Sequence, residues 1–269
     1  MDLPFIEQTF ISSGAPLKEA LAVILGCPYD GSASFRPGAR FGPSAIRRAS
    51  WGIETYSPYF NKDLGKFSIH DMGDLELPLG EKKISLDLIG KAVRKILSWK
   101  KFPILLGGDH LITLPAIEEI LLWYPQLHLL HIDAHTDLRE EYLGEILSHC
   151  TVMRRIIERL GEGRLFQIGI RSGIEEEFKL ARKMKSIVTL DLDVMDPSLL
   201  PGVGTPEPGG LTFQELISLL KKLQRLHVIG FDMVELTPDY DPTQVSSVTA
   251  SVILREMILA FCFKKHSNG

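Results

Sequence analysis

Short apolar runs alternate along this chain with longer segments in which apolar residues recur every three or four positions. The runs Leu21–Leu25, Phe67–Ile69, Pro103–Leu106, Leu127–Asp133, Leu165–Ile168, Ile187–Asp193 and His227–Asp232 read as strands. Helix-period segments lie between them. From Ser85 to Lys100, residues Leu86, Ile89, Val93, Ile96 and Leu97 fall on one helix face. Ser172 with Glu175, and Thr212 with Glu215, have the spacing of a capping box, and Gly161 suits the end of a helix starting near Thr151. Strands alternating with helices of this length form βαβ units, which predicts an α/β fold with a mainly parallel sheet covered on both faces. No linker, repeat or low-complexity stretch interrupts the pattern, so residues 1–269 are expected to form a single domain.

Ligands of open parallel sheets bind beyond the carboxyl ends of the strands, so the residues after each apolar run matter most. Pro103–Leu106 is followed by Gly107-Gly108-Asp109-His110, and Leu127–Ile132 by Asp133-Ala134-His135-Thr136-Asp137. Ile187–Leu190 leads into Asp191-Leu192-Asp193, and His227–Phe231 into Asp232-Met233-Val234-Glu235. Four runs end in acids or histidines, which places the chemistry along one edge of the sheet.

Composition narrows the function classes. Hydrophobic residues make up 45% and charged residues 24%, a globular balance that excludes a disordered chain. A net charge of −4 argues against nucleic acid as a partner, and the cluster Arg36, Arg40, Arg47 and Arg48 is too short to bind a phosphate backbone alone. Cys27, Cys150 and Cys262 are odd in number and widely spaced, so neither a disulfide framework nor a thiolate zinc site is indicated. The apolar stretch from Val248 to Phe263 is interrupted by Arg255 and Glu256 and is too short to span a bilayer. Asp2 and Glu7 stand where a secretory signal would be basic, so a cytoplasmic protein without membrane contact is expected.

Residues two apart on an extended segment point the same way, so Asp133, His135 and Asp137 are expected to converge, as are Asp191 and Asp193. With His110 they make four carboxylates and two imidazoles. Such a cluster of like charges is costly unless cations neutralise it, and two divalent ions balance four aspartates. An oxygen-rich set without thiolates favours Mn²⁺, with Zn²⁺, Fe²⁺, Co²⁺ or Ni²⁺ as alternatives. Two such ions side by side turn water into a nucleophile near neutral pH. Asp109 is read as holding its turn or a metal ligand, Cys150 as a small buried residue, and His70, His128, His131, His227 and His266 as structural or surface residues.

Several motifs together resemble the ureohydrolase family of arginases and agmatinases, and agmatinases most. They are Arg36-Pro-Gly-Ala-Arg-Phe-Gly-Pro43, Gly107-Gly-Asp-His110, Asp133-Ala-His-Thr-Asp137, Ser148-His149, Asp191-Leu-Asp-Val-Met-Asp-Pro197, Pro201 to Leu211 and Asp232-Met-Val-Glu235. The resemblance covers nearly the whole chain. It implies a three-layer α/β/α domain around a mainly parallel eight-stranded sheet, assembled into trimers or hexamers. By the family pattern, one Mn²⁺ is held by His110, Asp133, Asp137 and Asp191, and a second by His135, Asp133, Asp191 and Asp193. Glu235 matches the acid that pairs with a substrate guanidinium, a planar cation suited to a two-pronged carboxylate pair. His149 matches a proton-shuttling histidine near the mouth. The small glycine that usually follows that histidine is Cys150 here.

The resemblance implies a hydrolase for a small cationic guanidino substrate. Arginases carry an asparagine two residues beyond the D-x-H-x-D motif; this chain has Arg139 there. That disfavours arginine and points to agmatine or aminopropylagmatine, whose far ammonium Glu140 or Glu141 would meet. Arg139 leaves guanidinobutyrate open, since it would suit a carboxylate. The alternatives are formiminoglutamate hydrolysis on the same fold, a one-zinc deacetylase, and a metal-binding protein without activity.

Overall fold

A computed structural model describes residues 8–161, 163–177 and 189–262. Its first strand, β1 (Ala22–Cys27), shows why the apolar runs become strands. Ala22 and Ile24 point into one core, while Val23, Leu25 and Cys27 point into another, and all are buried. A strand buried on both faces needs an uninterrupted apolar run. The main sheet adds β4 (Ile69–Asp74), β5 (Phe102–Gly107), β6 (Leu129–Ile132), β7 (Leu165–Ile168), β8 (Thr189–Asp191) and β9 (Phe231–Val234). Their order is β4-β1-β5-β9-β8-β6-β7, and every pairing is parallel. Among the described residues this sheet has seven strands, one fewer than the resemblance implied. A short antiparallel pair, β2 (Tyr56–Ser57) with β3 (Lys62–Asp63), stands apart.

Helices cover both faces. On one side, α1 (Gly42–Ser50), α5 (Phe213–Leu223) and α6 (Val245–Phe261) contribute Ile46, Leu216, Leu220, Ile253 and Met257 to the core. On the other, α2 (Lys82–Ser98), α3 (Thr113–Trp123) and α4 (Val152–Leu160) contribute Ile89, Val93, Ile117, Ile120 and Ile156. This is the predicted three-layer arrangement. Thr212 and Glu215 form the expected capping box, and Gly161 ends α4 at φ 84. The other box is displaced: the Ile174 N–H donates to Glu177, and Ser172 instead bridges to His135.

Most strands differ from the predicted bounds by one or two residues, and two shift further, each carrying an aspartate inside the strand. The strand read as Phe67–Ile69 begins at Ile69 and runs on through polar residues to Asp74, which an edge strand tolerates. The run read as His227–Asp232 pairs only from Phe231 and continues past Asp232 to Val234. Asp232 looked like a strand end but lies inside the sheet, where the hydroxyls of Thr113 and Thr189 donate to it. Ile187 and Val188, the first two residues of the run read as Ile187–Asp193, lie outside the described residues. The strands carrying candidate residues, β5, β9, β8 and β6, are adjacent in the sheet.

Candidate metal centre

His110 follows β5 through a tight turn. A side chain on Gly108 would meet the Tyr29 carbonyl oxygen at 1.7 Å, so only glycine fits there. Asp109 then accepts from the Leu111 N–H and opens a 3₁₀ turn over His110–Ile112. The buried His110 ring has its Nε2 3.0 Å from Thr189 Oγ1. Because the Thr189 hydroxyl donates its own proton to Asp232, Thr189 accepts from His110 Nε2–H. In the neutral ring, the form a metal ion binds, that leaves Nδ1 with a lone pair. It lies 3.1 Å from Asp133 Oδ2 and 3.2 Å from both Asp137 Oδ2 and Asp191 Oδ2, with a hydrogen bond to none of them. Such a lone pair facing three carboxylate oxygens is repulsive unless a proton or a metal ion lies among them, and one imidazole nitrogen with three carboxylate oxygens is a donor set that fits a divalent ion.

The second group is built from the β6 and β8 ends. His135 Nδ1 lies 2.9 Å from Asp193 Oδ2 and 3.5 Å from Asp133 Oδ1. Asp133 belongs both to a cluster with His110, His131 and Asp137 and to one with His135 and Asp193, each compact enough for one ion. Asp193 sits in a 3₁₀ turn whose N–H donates to Asp191, and it accepts in turn from the Ala134 N–H. The convergence of Asp133, His135 and Asp137 does not come from strand alternation, as the sequence suggested. β6 stops at Ile132, and Asp137 is turned inward by a left-handed backbone at φ 53.

His131, assigned a structural or surface role from sequence, lies fully buried beside this cluster, its Nε2 2.7 Å from Asp133 Oδ2. The Gln167 amide nitrogen donates to the Thr136 carbonyl and to His131 Nδ1, each at 2.8 Å. Nδ1 therefore accepts and Nε2–H donates, so His131 orients Asp133 instead of competing for an ion. His131 stands two residues before Asp133, and the same period-two reasoning carried one step back finds it.

The charge balance also favours cations. Burial, then repulsion from Asp193 and Asp133, raises Asp191 well above the usual carboxylate range. Burial and Asp133 raise Asp193 as well. Burial opposes the charged form of Asp133, but His131, His110 and His135 hold it well below its ordinary value. Burial would depress both cluster histidines, yet the surrounding aspartates raise His110 well above its ordinary value and His135 to about 12.

A cavity of about 260 Å³ opens onto the cluster and is lined by His110, Asp191, Asp193, Glu235, His149 and Arg139 among others. Glu235 follows β9 at φ 66, and its Oε1 accepts from the His110 N–H at 2.8 Å. Burial, then Asp109, raises its pKa well above the usual range. His149 stands at the wall with Ser34 and Cys150. Cys150 is only partly buried, its Sγ 3.0 Å from His149 Nε2, and burial first of all pushes its thiol up to about 12. Arg139 also lines the wall. Its guanidinium lies 4.9 Å over the Tyr142 ring and its Nε is 4.0 Å from Glu177. Neither Glu140 nor Glu141 lines the cavity; Glu140 pairs with Arg154 at 3.1 Å. The acid at that wall is Glu177, held by the N–H groups of Leu138 and Ile174.

No helix among the described residues is long and apolar enough to cross a membrane. Comparison with known proteins finds an agmatinase of Bacillus subtilis (strain 168) that is 41% identical, covering 97% of this chain and 98% of that protein. The mitochondrial guanidino acid hydrolase of Homo sapiens is 34% identical over 89% of this chain and 78% of its own. The crystal structure of a putative agmatinase from Clostridium difficile superposes with a TM-score of 0.88 at 41% identity, covering 91% of this chain and 98% of the other. The Arginase family pattern matches residues 20–188 and 184–260, and the chain belongs to that family.

Proposed function

We propose that this protein hydrolyses agmatine to putrescine and urea with two divalent ions, Mn²⁺ in the first place, and that the observation carrying this reading is the bare Nδ1 of His110 amid three carboxylates in a cavity shared with Glu235. One ion is assigned to His110, Asp133, Asp137 and Asp191, the other to His135, Asp133, Asp191 and Asp193. When bound, the pair supplies a water-derived nucleophile near neutral pH and polarises the substrate.

The chain's own residues do the rest. Glu235 is fixed by the His110 N–H, so its carboxylate receives the guanidinium in one orientation and sets the guanidino carbon against the cluster. Burial penalises an unpaired charge on Glu235, and an incoming cation relieves that penalty. His149, at the wall, gives a proton to the departing amine. The far ammonium is assigned to the wall where Glu177 offsets Arg139.

A second reading, hydrolysis of a guanidino acid, is favoured by Arg139 at the same wall and by the human guanidino acid hydrolase among the relatives. Agmatine is preferred because Arg139 is stacked on Tyr142 and has an acid beside it. The test is urea release by Mn²⁺-loaded protein from agmatine, guanidinobutyrate and arginine. Urea from agmatine supports the reading; release only from guanidinobutyrate replaces it, and no urea from any of the three removes it.

A further inference from the structure

We propose that Asp109 and Ser32 form a hydrogen-bonded relay that fixes the ring tautomer of His149, making Nε2 the atom that exchanges protons with substrate. Ser32 is thus a positioning residue, and the proposal rests on the reading that His149 protonates the departing amine.

The assignment follows from counting protons and lone pairs. Asp109 is buried and receives three donors: the Leu111 N–H on Oδ1, and both the N–H and the hydroxyl of Ser32 on Oδ2, at 2.9 and 2.8 Å. A carboxylate taking three donors offers none itself, so the single hydroxyl proton of Ser32 goes to Asp109. Two lone pairs remain on Ser32 Oγ. The backbone N–H of His149 donates to one at 2.9 Å, and His149 Nδ1 lies 3.3 Å away, facing the other. With the hydroxyl proton already committed, only an Nδ1–H completes this contact; a bare Nδ1 would set lone pair against lone pair.

In the neutral ring the other nitrogen then carries the lone pair. Nε2 lies 3.2 Å from Ser34 Oγ and 3.0 Å from Cys150 Sγ, and both groups have a proton to give. His149, Ser34 and Cys150 all line the cavity, so Nε2 is on the substrate side and Nδ1 is turned to the relay. The proton step balances on this geometry. The electrons of the breaking C–N bond go to the amine nitrogen, which takes the Nε2 proton of the imidazolium. The ring returns to the neutral Nδ1–H form that Ser32 already accommodates, and solvent resupplies the proton. No ring rotation or tautomer exchange is needed between turnovers.

The chain has eight histidines, so the ring is readable by ¹⁵N NMR of histidine-labelled protein loaded with diamagnetic Zn²⁺, using the resonances lost in His149→Asn as the assignment. The expected result is an Nδ1-protonated, Nε2-bare neutral ring. Ser32→Ala is expected to mix the two tautomers and to lower kcat about tenfold or more, with KM and metal content unchanged. Ser32→Thr, which keeps the hydroxyl, is expected to restore both the spectrum and the rate. A wild-type ring protonated on Nε2 overturns the proposal, and this reading stands even if Ser32→Ala folds poorly. Full kcat in Ser32→Ala alongside an impaired His149→Asn overturns the relay and leaves the role of His149 intact. Full kcat in His149→Asn overturns that underlying role instead.

Discussion

The carboxylate of Glu235 accepts a hydrogen bond from the backbone N–H of His110 at 2.8 Å, although 125 positions separate the two residues. They are joined because β5 and β9 are neighbours in the sheet, and the Glu235 N–H returns the link by donating to the Gly108 carbonyl. The residue assigned to hold substrate is thereby fixed to a candidate metal ligand through backbone, with little room to drift. Glu235→Gln keeps that hydrogen bond and the side-chain volume but removes the charge. Charge-assisted bonds contribute roughly 1.5–3 kcal/mol each, so a two-pronged pair accounts for a loss in kcat/KM on the order of 10²-fold or more. Metal content is expected to be unchanged. Near-wild-type kcat/KM in the metal-loaded variant would assign the guanidinium to another acid.

Metal stoichiometry tests the shared position of Asp133 and Asp191. Elemental analysis of Mn²⁺-reconstituted protein is expected to approach two ions per chain. Changes to residues behind metal ligands cost about 10–100-fold in affinity, so His131→Asn is expected to weaken Mn²⁺ binding by that amount through loss of its hold on Asp133. Asp191→Ala, removing a carboxylate assigned to both ions, is expected to weaken both by more. A content fixed at one ion in saturating Mn²⁺ would end the dinuclear assignment.

How much of this was visible in the chain itself depends on which residues carry their role locally. The convergence of the candidate metal ligands was legible because each member follows an apolar run, and strand ends of a parallel sheet share one edge. His131 and Asp232 were not, because each sits inside its run and a polar residue there reads as an interruption or an end. Period-two spacing can set His131 beside Asp133, but the partners that define both roles arise across strands, from Gln167 on β7 and Thr189 on β8, and no spacing within one segment reveals those. Ser32 was hidden for the same reason, lying 117 positions from His149. Glu140 and Glu141 were plausible as substrate acids from position alone, but only the folded loop shows that Glu177 occupies that wall.

Selectivity is expected to follow the tail of the substrate, since the guanidino end is common to all candidates. The ratio of kcat/KM for agmatine to that for arginine is expected to be on the order of 10²-fold or more, because Arg139 replaces the asparagine that would help receive the amino-acid end. Glu177→Gln is expected to raise KM for agmatine more than for guanidinobutyrate, by leaving Arg139 without its neighbouring charge. Kinetics on the three substrates decide the matter: preference for guanidinobutyrate would show Arg139 receiving a carboxylate, and preference for arginine would show another group replacing the asparagine.

Stability in acid is expected to depend on Asp241, which stands before α6. Gln244, the residue at the helix start, makes no side-chain cap and sits at φ 63, so the Ser246 N–H donates to Asp241 instead, at 2.7 Å. Burial works against the ionised form of Asp241, but donors from Ser246 and Thr243 outweigh it and hold the carboxyl below its ordinary 3.8. A depressed folded value means the contribution is present above about pH 3.8 and is lost as pH falls through the lower value. Asp241→Asn is expected to cost about 1 kcal/mol at neutral pH and a few degrees of Tm. In thermal melts the gap between variant and wild type should close as pH falls below 3.8; a gap that persists in acid would mean the charge is not what holds the helix.

The strand order has a consequence for how the protein is made. Strands β4, β1 and β5 form one half of the sheet and β8, β6 and β7 the other, and β9 alone joins them. Yet β9 spans Phe231–Val234, late in the chain, so a growing polypeptide carries two unjoined half-sheets until that segment leaves the ribosome. His110 belongs to the first half, and Asp133, His135, Asp137, Asp191 and Asp193 to the second. The cluster therefore assembles only when β9 slots between them, and it brings Glu235 with it. A nascent chain released before residue 231 would hold every candidate metal ligand and still lack the scaffold that makes them one site.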